Sequence, residues 1–493
     1  MLRVNKNIDT DNQIIIIDAL QDDYLAFLEK EEAVIVQKKI EENQNPILIQ
    51  ALNKNYILYV FKTEKTNAQT KEKLRRDAHQ IYQELQTKKE KSVFVQSITT
   101  IEPKFIKAFL EGLLLSQYIF DKYKKNKKEL VEIFVDNQLL SKADLQELNI
   151  LQESVRLTKN LVNEPQNFMT TTQYNAEIKK IFTKSNVRYT YWNQEKITKE
   201  KMGGILAVNR GSENPAFFHI LEYKPTNAIN KQPLVLVGKG VMYDTGGLSI
   251  KPTPNSMDLM KCDMAGSATV LGAILAISKL NLPYYVIGLF PTVENKINDK
   301  SICPGDVITM YDGTTVEVMN TDAEGRLILA DALHYAKRLK PELVIDLATL
   351  TGAAIRAVGK EAAVVMGNAD KKIRKKLEKV AYKTDEKIVY FPLWDDYKSY
   401  LDSEIADIKN IGGAEAGAIT AGKFLEHFTD YSWLHIDLSP AFVTSRYNYR
   451  GIHATAYGVR LLCKFVKNLS KQQKQIRNVK SQPRKNKSRN NNR

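Results

Sequence analysis

Seven charged side chains between residues 239 and 326 have types and spacings that could do chemistry together: Lys239, Asp244, Lys251, Asp263, Asp322, Glu324 and Arg326. The apolar run LVLVG reads as a buried strand feeding a glycine-rich loop, Gly238-Lys239-Gly240-Val241-Met242-Tyr243-Asp244-Thr245-Gly246-Gly247, which continues to Lys251-Pro252. A strand running into such a loop puts polar side chains at the carboxyl edge of a sheet, where α/β folds place their sites. The stretch SMDLMKCDMAGSATVLGAILAIS reads as a helix with Asp263 at its beginning. The stretch EVMNTDAEGRLILADALHYA sets Asp322, Glu324 and Arg326 on a turn just ahead of a second apolar helix. Four carboxylates crowded together would repel and raise one another's pKa. Two divalent ions bridged by shared carboxylates remove that cost. Such pairs, about 3.5–4 Å apart, catalyse hydrolysis by activating a water and polarising a carbonyl. Spacing alone leaves a second arrangement open, a glycine-rich loop with solvated charges.

The elements that must hold these residues belong to a large chain. At roughly 150 residues per domain, 493 residues make two or three domains. A composition of 43% hydrophobic and 26% charged residues excludes a collagen, a mostly disordered chain and a membrane bundle. In the first 150 residues, QIIIIDAL (13–20), AVIVQ (33–37), ILIQAL (47–52), YILYVF (56–61), SVFVQSI (92–98) and LVEIFVDN (130–137) read as strands. Residues 68–88 and 103–120 read as helices, the second starting at a proline. One long helical pattern, 141–163, must stop before Pro165 because the residue preceding proline is pushed out of the helical region. Beyond it PLVLVGKG, YYVIGLF, ELVIDLATL and WLHIDL are strands with helices between. The expectation is an α/β protein of two domains: a smaller one at 1–140, a connecting helix at 141–164, and a catalytic domain at 165–463 built on a central mixed sheet flanked by helices.

The blocks VGKGVMYDTGGLSIKP, MDLMKCDMAGSATVLG, VMNTDAEGRLILADAL and DLATLTGA resemble the signature blocks of the leucyl (cytosol) aminopeptidase family of dinuclear metallopeptidases, in the family's order. NLVNEPQN, IADIKNIGG, AGAITAGKFL and WLHIDL add matches, and the resemblance covers about 155–463. It implies a metal-dependent exopeptidase that attacks with a hydroxide bridging two divalent ions, Zn²⁺ or Mn²⁺. Asp244 and Glu324 would bridge both ions, Lys239 and Asp263 would complete the tighter site, and Asp322 the exchangeable one. Lys239 would have to act as a neutral amine, which two adjacent dications make possible. Lys251 would stay cationic against the scissile carbonyl. Arg326 would hold a bicarbonate serving as general base. Met260, Asn320, Thr349, Leu350 and Gly352 match substrate-lining positions, with an apolar first residue such as Leu or Met preferred. The resemblance also implies peptide substrates and a homohexamer. Three departures stand out. The interval from Lys251 to Asp263 is one residue longer than the commonest spacing, and Tyr243 and Thr245 replace the usual Phe and Ser. The first falls in a proline-containing loop that tolerates insertion, so Asp263 keeps its place.

Three cysteines exclude a disulfide framework and favour a reducing, cytoplasmic setting. There is no CxxC and no HExxH, so neither a structural zinc site nor a zincin is expected. No segment reads as a membrane span or a secretory signal. The charge is uneven: 72 basic against 57 acidic residues give +15, of which the last thirty residues, without one acid, carry +11. That stretch, 464–493, reads as a disordered basic tail. It is either a solvated segment or an arm for weak nucleic-acid or other polyanion binding. A nucleic-acid-binding protein on the same fold is the competing function. Other signals are discounted. Gly417 to Lys423 resembles a P-loop but is followed by Phe424 where Ser or Thr would hold Mg²⁺. His334 and His435 lie in apolar runs and read as core residues, Cys262 as a small buried residue, and Asp258 and Asp331 as solvent or capping residues.

Overall fold

The computed structural model describes residues 1–5, 10–18, 28–50 and 54–481. Two sheets organise it. The first has six strands in the order Leu2–Asn5, Glu132–Asp136, Ser92–Ser97, Asn12–Ile17, Asn55–Val60, Ile47–Gln50, all parallel except the last. The helices Asn67–Thr87 and Pro103–Ser116 cover it through Leu74, Ile81, Phe105, Phe109 and Leu113, which pack with Ile14, Val93 and Ile133.

The second sheet is mixed. Its path runs Ile388–Tyr390, Ala363–Gly367, Trp433–Asp437, Leu343–Ala348, Leu234–Gly238, Val286–Asn295, Phe217–Tyr223, Arg188–Trp192, and Val241–Asp244 pairs with the far end of Val286–Asn295. Its middle four strands are mutually parallel. Each residue of LVLVG is buried, as expected of a strand covered on both faces. The helix Ala265–Lys279 covers one face and Gly325–Lys337 the other. The helical stretch Met257–Lys279 is long and apolar enough to cross a membrane by composition, yet 89% of that window is buried inside the domain, so it is a core helix here.

Several expectations need correcting. Residues 33–37 are not a strand but lie inside the helix Lys30–Glu41. A capping box between Glu29 and Glu32 starts that helix, and lysines close its last turn; these local signals outweigh the short Val-Ile-Val run, of which only Val36 is buried. The helix from Pro103 ends at Ser116 rather than at 120. Residues 464–481 are helical, not disordered, because VRLLCKFVKNL has an apolar stripe that buries Leu461, Leu462, Phe465 and Val466 in the core; the helix is Val459–Ser481. The remainder of that basic stretch, 482–493, lies outside the described residues, as do 19–20 and 51–52 of two expected strands.

The sheets meet through buried charge. Arg75 Nε donates to Glu111 Oε2 at 2.5 Å, and Arg460 Nη1 donates to Glu111 Oε1 at 3.2 Å. Tyr449 donates its hydroxyl to Glu72 at 2.8 Å, and Arg450 pairs with Asp385 at 2.9 Å. This belt ties the helices of the first sheet to the C-terminal half of the chain.

Candidate metal centre

The site stands at the carboxyl ends of the four central parallel strands. Lys239 follows Leu234–Gly238, Thr349 follows Leu343–Ala348, Asn295 ends Val286–Asn295 and Asp437 ends Trp433–Asp437. Because these strands run in register, their next residues converge at one edge. Asp244 is brought alongside by pairing with Asn295, whose Nδ2 donates to Asp244 Oδ1 at 2.8 Å and to the Thr321 carbonyl at 3.1 Å. Gly246 and Gly247 then turn the loop back with φ of +86° and +61°, where side chains are rarely accepted, and Gly246 N–H donates to Asp244 Oδ1 at 2.9 Å.

Asp263 is the last residue but one of the 3₁₀ turn Met257–Met264, which runs directly into the core helix. Glu324 caps the helix Gly325–Lys337, with Asp322 on the preceding turn. That turn is pinned twice. Asn320 Oδ1 accepts from the Asp322 N–H at 2.7 Å, and the Thr321 hydroxyl donates to the Gly246 carbonyl at 2.6 Å while accepting from Ser249 N–H at 2.8 Å.

The two lysines sit among the four carboxylates. Lys239 Nζ lies 2.8 Å from Asp263 Oδ2 and 2.9 Å from Glu324 Oε1, and donates to the Thr349 carbonyl at 2.9 Å. Lys251 Nζ lies 2.9 Å from Asp244 Oδ2 and also pairs with Asp322. One oxygen from each of Asp244, Asp322 and Glu324 falls within 4.8 Å of the others. Asp244, Asp263, Glu324 and Lys239 are buried.

Four carboxylates against two ammonium groups leave the pocket short of positive charge. Burial raises Asp244, Asp263 and Asp322 above the ordinary carboxylate range; Glu324 adds to this for Asp244 and Asp322, and the lysines only partly oppose it. Burial also works on Glu324, but Lys239 and Lys251 overcome it and hold this carboxyl low. For the lysines burial favours the amine, yet the surrounding carboxylates hold both above the ordinary range. Among the described residues Glu324 Oε2 has no donor, and Glu324 Oε1, Asp263 Oδ2 and Asp322 Oδ1 meet only the lysine ammonium groups. Buried, unsatisfied carboxylate oxygens in a net-negative pocket fit divalent cations, which take hard oxygen ligands and supply the missing charge.

Arg326 feels the charge of Glu324 and Asp437 but forms no ion pair among the described residues. It donates from Nη1 to the Asn410 carbonyl at 2.7 Å, its Nε is buried without a partner among the described residues, and burial lowers it to about 10, so it stays cationic at neutral pH. Of the expected substrate-lining residues, Thr349 is part of the cluster: its hydroxyl donates to Asp263 Oδ1 at 2.8 Å. Asn320 is committed to the turn that carries Asp322. Met260 shares the 3₁₀ turn of Asp263, while Leu350 and the exposed Gly352 follow Thr349.

Three supporting residues escaped sequence reasoning. Asn295 orients Asp244. Asn410 accepts on Oδ1 from Met319 N–H at 2.9 Å and donates to the Asn320 carbonyl at 2.7 Å. Asp437 accepts from Leu350 N–H at 3.1 Å and from the Thr351 hydroxyl at 2.7 Å, holding the segment that carries Thr349. Asn410 and Asp437 do lie within the quoted blocks IADIKNIGG and WLHIDL, but uncharged or isolated strand-end residues carry no local signal of such roles. The discounted groups are otherwise engaged. His435 pairs with Asp346 in the core, and Lys423 with Asp395 and Glu426. Asp331 caps the helix Gly203–Asn209 from a buried position, accepting Ile205 N–H at 2.9 Å, so it is a cap rather than a solvated residue. All three cysteines are free, and burial pushes the Cys262 thiol up to about 12, which leaves it unreactive.

Comparison with known proteins bears on this geometry. Residues 156–463 match the model of the cytosol aminopeptidase family, catalytic domain. A probable cytosol aminopeptidase of Chloroherpeton thalassium is 45% identical over 353 residues, covering 71% of this chain and 69% of that protein. One from Clostridium perfringens is 40% identical over 409 residues, covering 80% and 82%. Among solved structures, the bottromycin maturation enzyme BotP in complex with Mn is similar with a TM-score of 0.83 and 26% identity, over 94% of this chain and 100% of that one.

Proposed function

The chain belongs to the cytosol aminopeptidase family and is a metal-dependent aminopeptidase, and we propose that it removes apolar amino-terminal residues, leucine and methionine foremost, in cytoplasmic peptide turnover. Two divalent ions, Zn²⁺ or Mn²⁺, would be held by Lys239, Asp244, Asp263, Asp322 and Glu324, with Asp244 and Glu324 shared. When bound, these ions supply an acidified water and Lewis-acid polarisation of the scissile carbonyl.

The chain's own groups do the rest. Lys251, held cationic by Asp244 and Asp322, stabilises negative charge developing on the carbonyl oxygen. Thr349 fixes the Asp263 carboxylate and receives Lys239 on its carbonyl. The net-negative pocket accepts a substrate α-amine, which internal peptide bonds lack, and this favours exopeptidase action. Arg326, with an unpartnered buried Nε, would hold a bicarbonate that supplies a general base. Met260, Asn320, Leu350 and Gly352 would line the substrate pocket. A homohexamer is the proposed assembly, and the basic C-terminal residues the proposed polyanion arm.

The observation that carries this reading is the buried Glu324 carboxylate beside Asp244 and Asp322, met by Lys239 on one oxygen and by no donor among the described residues on the other. Metal analysis of the purified protein, paired with turnover of a fluorogenic leucine amide before and after chelation, tests it. The expected result is two ions per chain, loss of turnover on chelation, and recovery with Mn²⁺, Co²⁺ or Zn²⁺. Full turnover by metal-stripped protein would refute it.

A further inference from the structure

The segment that leaves the carboxylate cluster carries one further cation. Thr349, in contact with Lys239 and Asp263, leads through Leu350 and Thr351 into the helix Gly352–Val358. Three hydrogen bonds fix this segment. Asp437 accepts the Leu350 N–H at 3.1 Å and the Thr351 hydroxyl at 2.7 Å, and the Thr351 hydroxyl oxygen accepts the Ala354 N–H at 3.0 Å. Ala354 is the buried residue of the helix, whereas Gly352 and Arg356 are exposed. Gly352 and Arg356 stand four residues apart, hence on one helix face. Side chains on a helix lean toward its amino end. The Arg356 guanidinium accordingly lies back over Gly352: a β-carbon placed on that glycine would stand 3.2 Å from Nη1.

Among the described residues the Arg356 guanidinium has no hydrogen-bond, ion-pair or aromatic-ring partner. Cations on the neighbouring elements are committed. Lys423, on the helix Gly417–His427 that packs against Gly352–Val358, pairs with Asp395 and Glu426. Lys360 reaches Ser445 at 3.4 Å and lies over the Tyr447 ring at 5.1 Å. Lys261, on the turn that carries Met260 and Asp263, donates to the Asn163 carbonyl at 2.7 Å. Arg356 is thus a spare planar fork of donors at the rim of the site, and such a fork matches a carboxylate with two parallel hydrogen bonds.

We propose that Arg356 is a specificity-determining residue that takes a carboxylate of the substrate on the leaving side of the scissile bond, and that the preferred substrates are therefore di- and tripeptides with a free carboxyl terminus. The inference rests on the reading of the cluster as an aminopeptidase centre and names the substrate class of that site. Length carries it. From Thr349 to Gly352 the chain advances three residues, at most about 10 Å. A substrate held at the cluster by its α-amine and scissile carbonyl extends about 3.5 Å per residue beyond the bond that breaks. Its terminal carboxylate comes within that span after one or two residues, whereas that of a longer peptide lies past it. Sign agrees with length: the net-negative cluster takes the amine at one end, and the unpaired guanidinium suits an anion at the other. An acidic side chain just beyond the scissile bond offers the same chemistry from a second source.

The test compares kcat and KM of the metal-loaded full chain, Arg356→Ala and Arg356→Lys on four matched substrates. These are leucyl-glycine, the same dipeptide with its carboxyl amidated, leucyl-glutamate with only its terminal carboxyl amidated, and leucine amide. Arg356→Ala should raise KM for leucyl-glycine about tenfold and keep kcat, because a contact made equally in the ground and transition states acts on KM. Amidated leucyl-glycine and leucine amide should be turned over as by the parent. Arg356→Lys should recover part of the loss, since an ammonium keeps the charge but not the fork. Loss on leucyl-glycine, with or without loss on amidated leucyl-glutamate, supports the proposal; loss on the latter alone assigns the side-chain source and overturns the short-peptide class. Unchanged KM on both carboxylate-bearing substrates, or equal loss on the free and amidated forms of leucyl-glycine, also overturns it. Turnover of leucine amide by the parent secures the aminopeptidase reading independently, so a null result at Arg356 counts against this proposal alone.

Discussion

A β-carbon placed on Gly325 would stand 2.3 Å from Cε and 2.6 Å from Nζ of Lys239. The first residue of the helix behind Glu324 thus forms the wall against which the lysine lies, and Lys239, 3% exposed and held by Asp263, Glu324 and Thr349, has nowhere to retreat. Gly325→Ala should therefore displace the Lys239 amine and lower kcat by about 10–100-fold. The fold should survive, since alanine is the better helix residue. Metal content, turnover and thermal melting together check this; parent-like turnover with full metal content would show that the contact does not matter.

The carboxylates and the second lysine should fail differently. Asp322→Ala or Glu324→Ala removes ligands and should abolish both activity and bound metal. Lys251→Ala should keep the metal and lose about 10²–10³ in kcat, as removal of one electrostatic stabiliser does. A change confined to KM in Lys251→Ala would contradict its role.

Asp437 and Thr349 act at one remove. Asp437→Ala frees the Leu350 N–H and the Thr351 hydroxyl, loosening the segment that carries Thr349, and Thr349→Val removes the donor to Asp263. Each should weaken metal affinity by about 10–100-fold, and raised metal concentration should restore most of the turnover. Unchanged metal titrations in both variants would rule the support role out.

Glu111 makes stability sensitive to acid. Burial would raise its carboxyl, but Arg75 and Arg460 bring it from 4.5 down to about 2. A depressed folded pKa gives a contribution that is full above about 4.5 and is lost as pH falls toward 2, because the unfolded chain takes up the proton first. Glu111→Gln should cost on the order of 3 kcal/mol at neutral pH, the low end for breaking a buried pair, since Glu72 and Glu386 remain near the two arginines. Denaturant titrations should show the gap between parent and variant narrowing below pH 4.5; a gap independent of pH would refute the assignment.

Much of the site was legible because its residues are charged and cannot be buried alone. Lys239, Asp244, Asp263, Asp322 and Glu324 announce themselves by type, by the glycine-rich loop and by the helix that follows NTDAEGR. Asn295, Asn410 and the strand-end Asp437 do not, since their roles depend on which strand lies next to which. The alternation of apolar strands with amphipathic helices likewise foretold two α/β sheets, whereas Val-Ile-Val at 34–36 misled because cap residues decided that segment. The C-terminal helix was hidden by its own charge: counting lysines obscured the stripe of Leu461, Leu462, Phe465 and Val466.

The amino-acid sequence by itself determined which groups carry charge, where strands and helices alternate, and hence that a cluster of carboxylates must find cations. Only the tertiary structure decided that Lys239 and Lys251 divide the carboxylates between them, and that one Glu324 oxygen meets no donor among the described residues. Periodicity and residue type are local properties of a chain, but the register of parallel strands and the pairing of buried charges are set by packing between segments far apart in sequence.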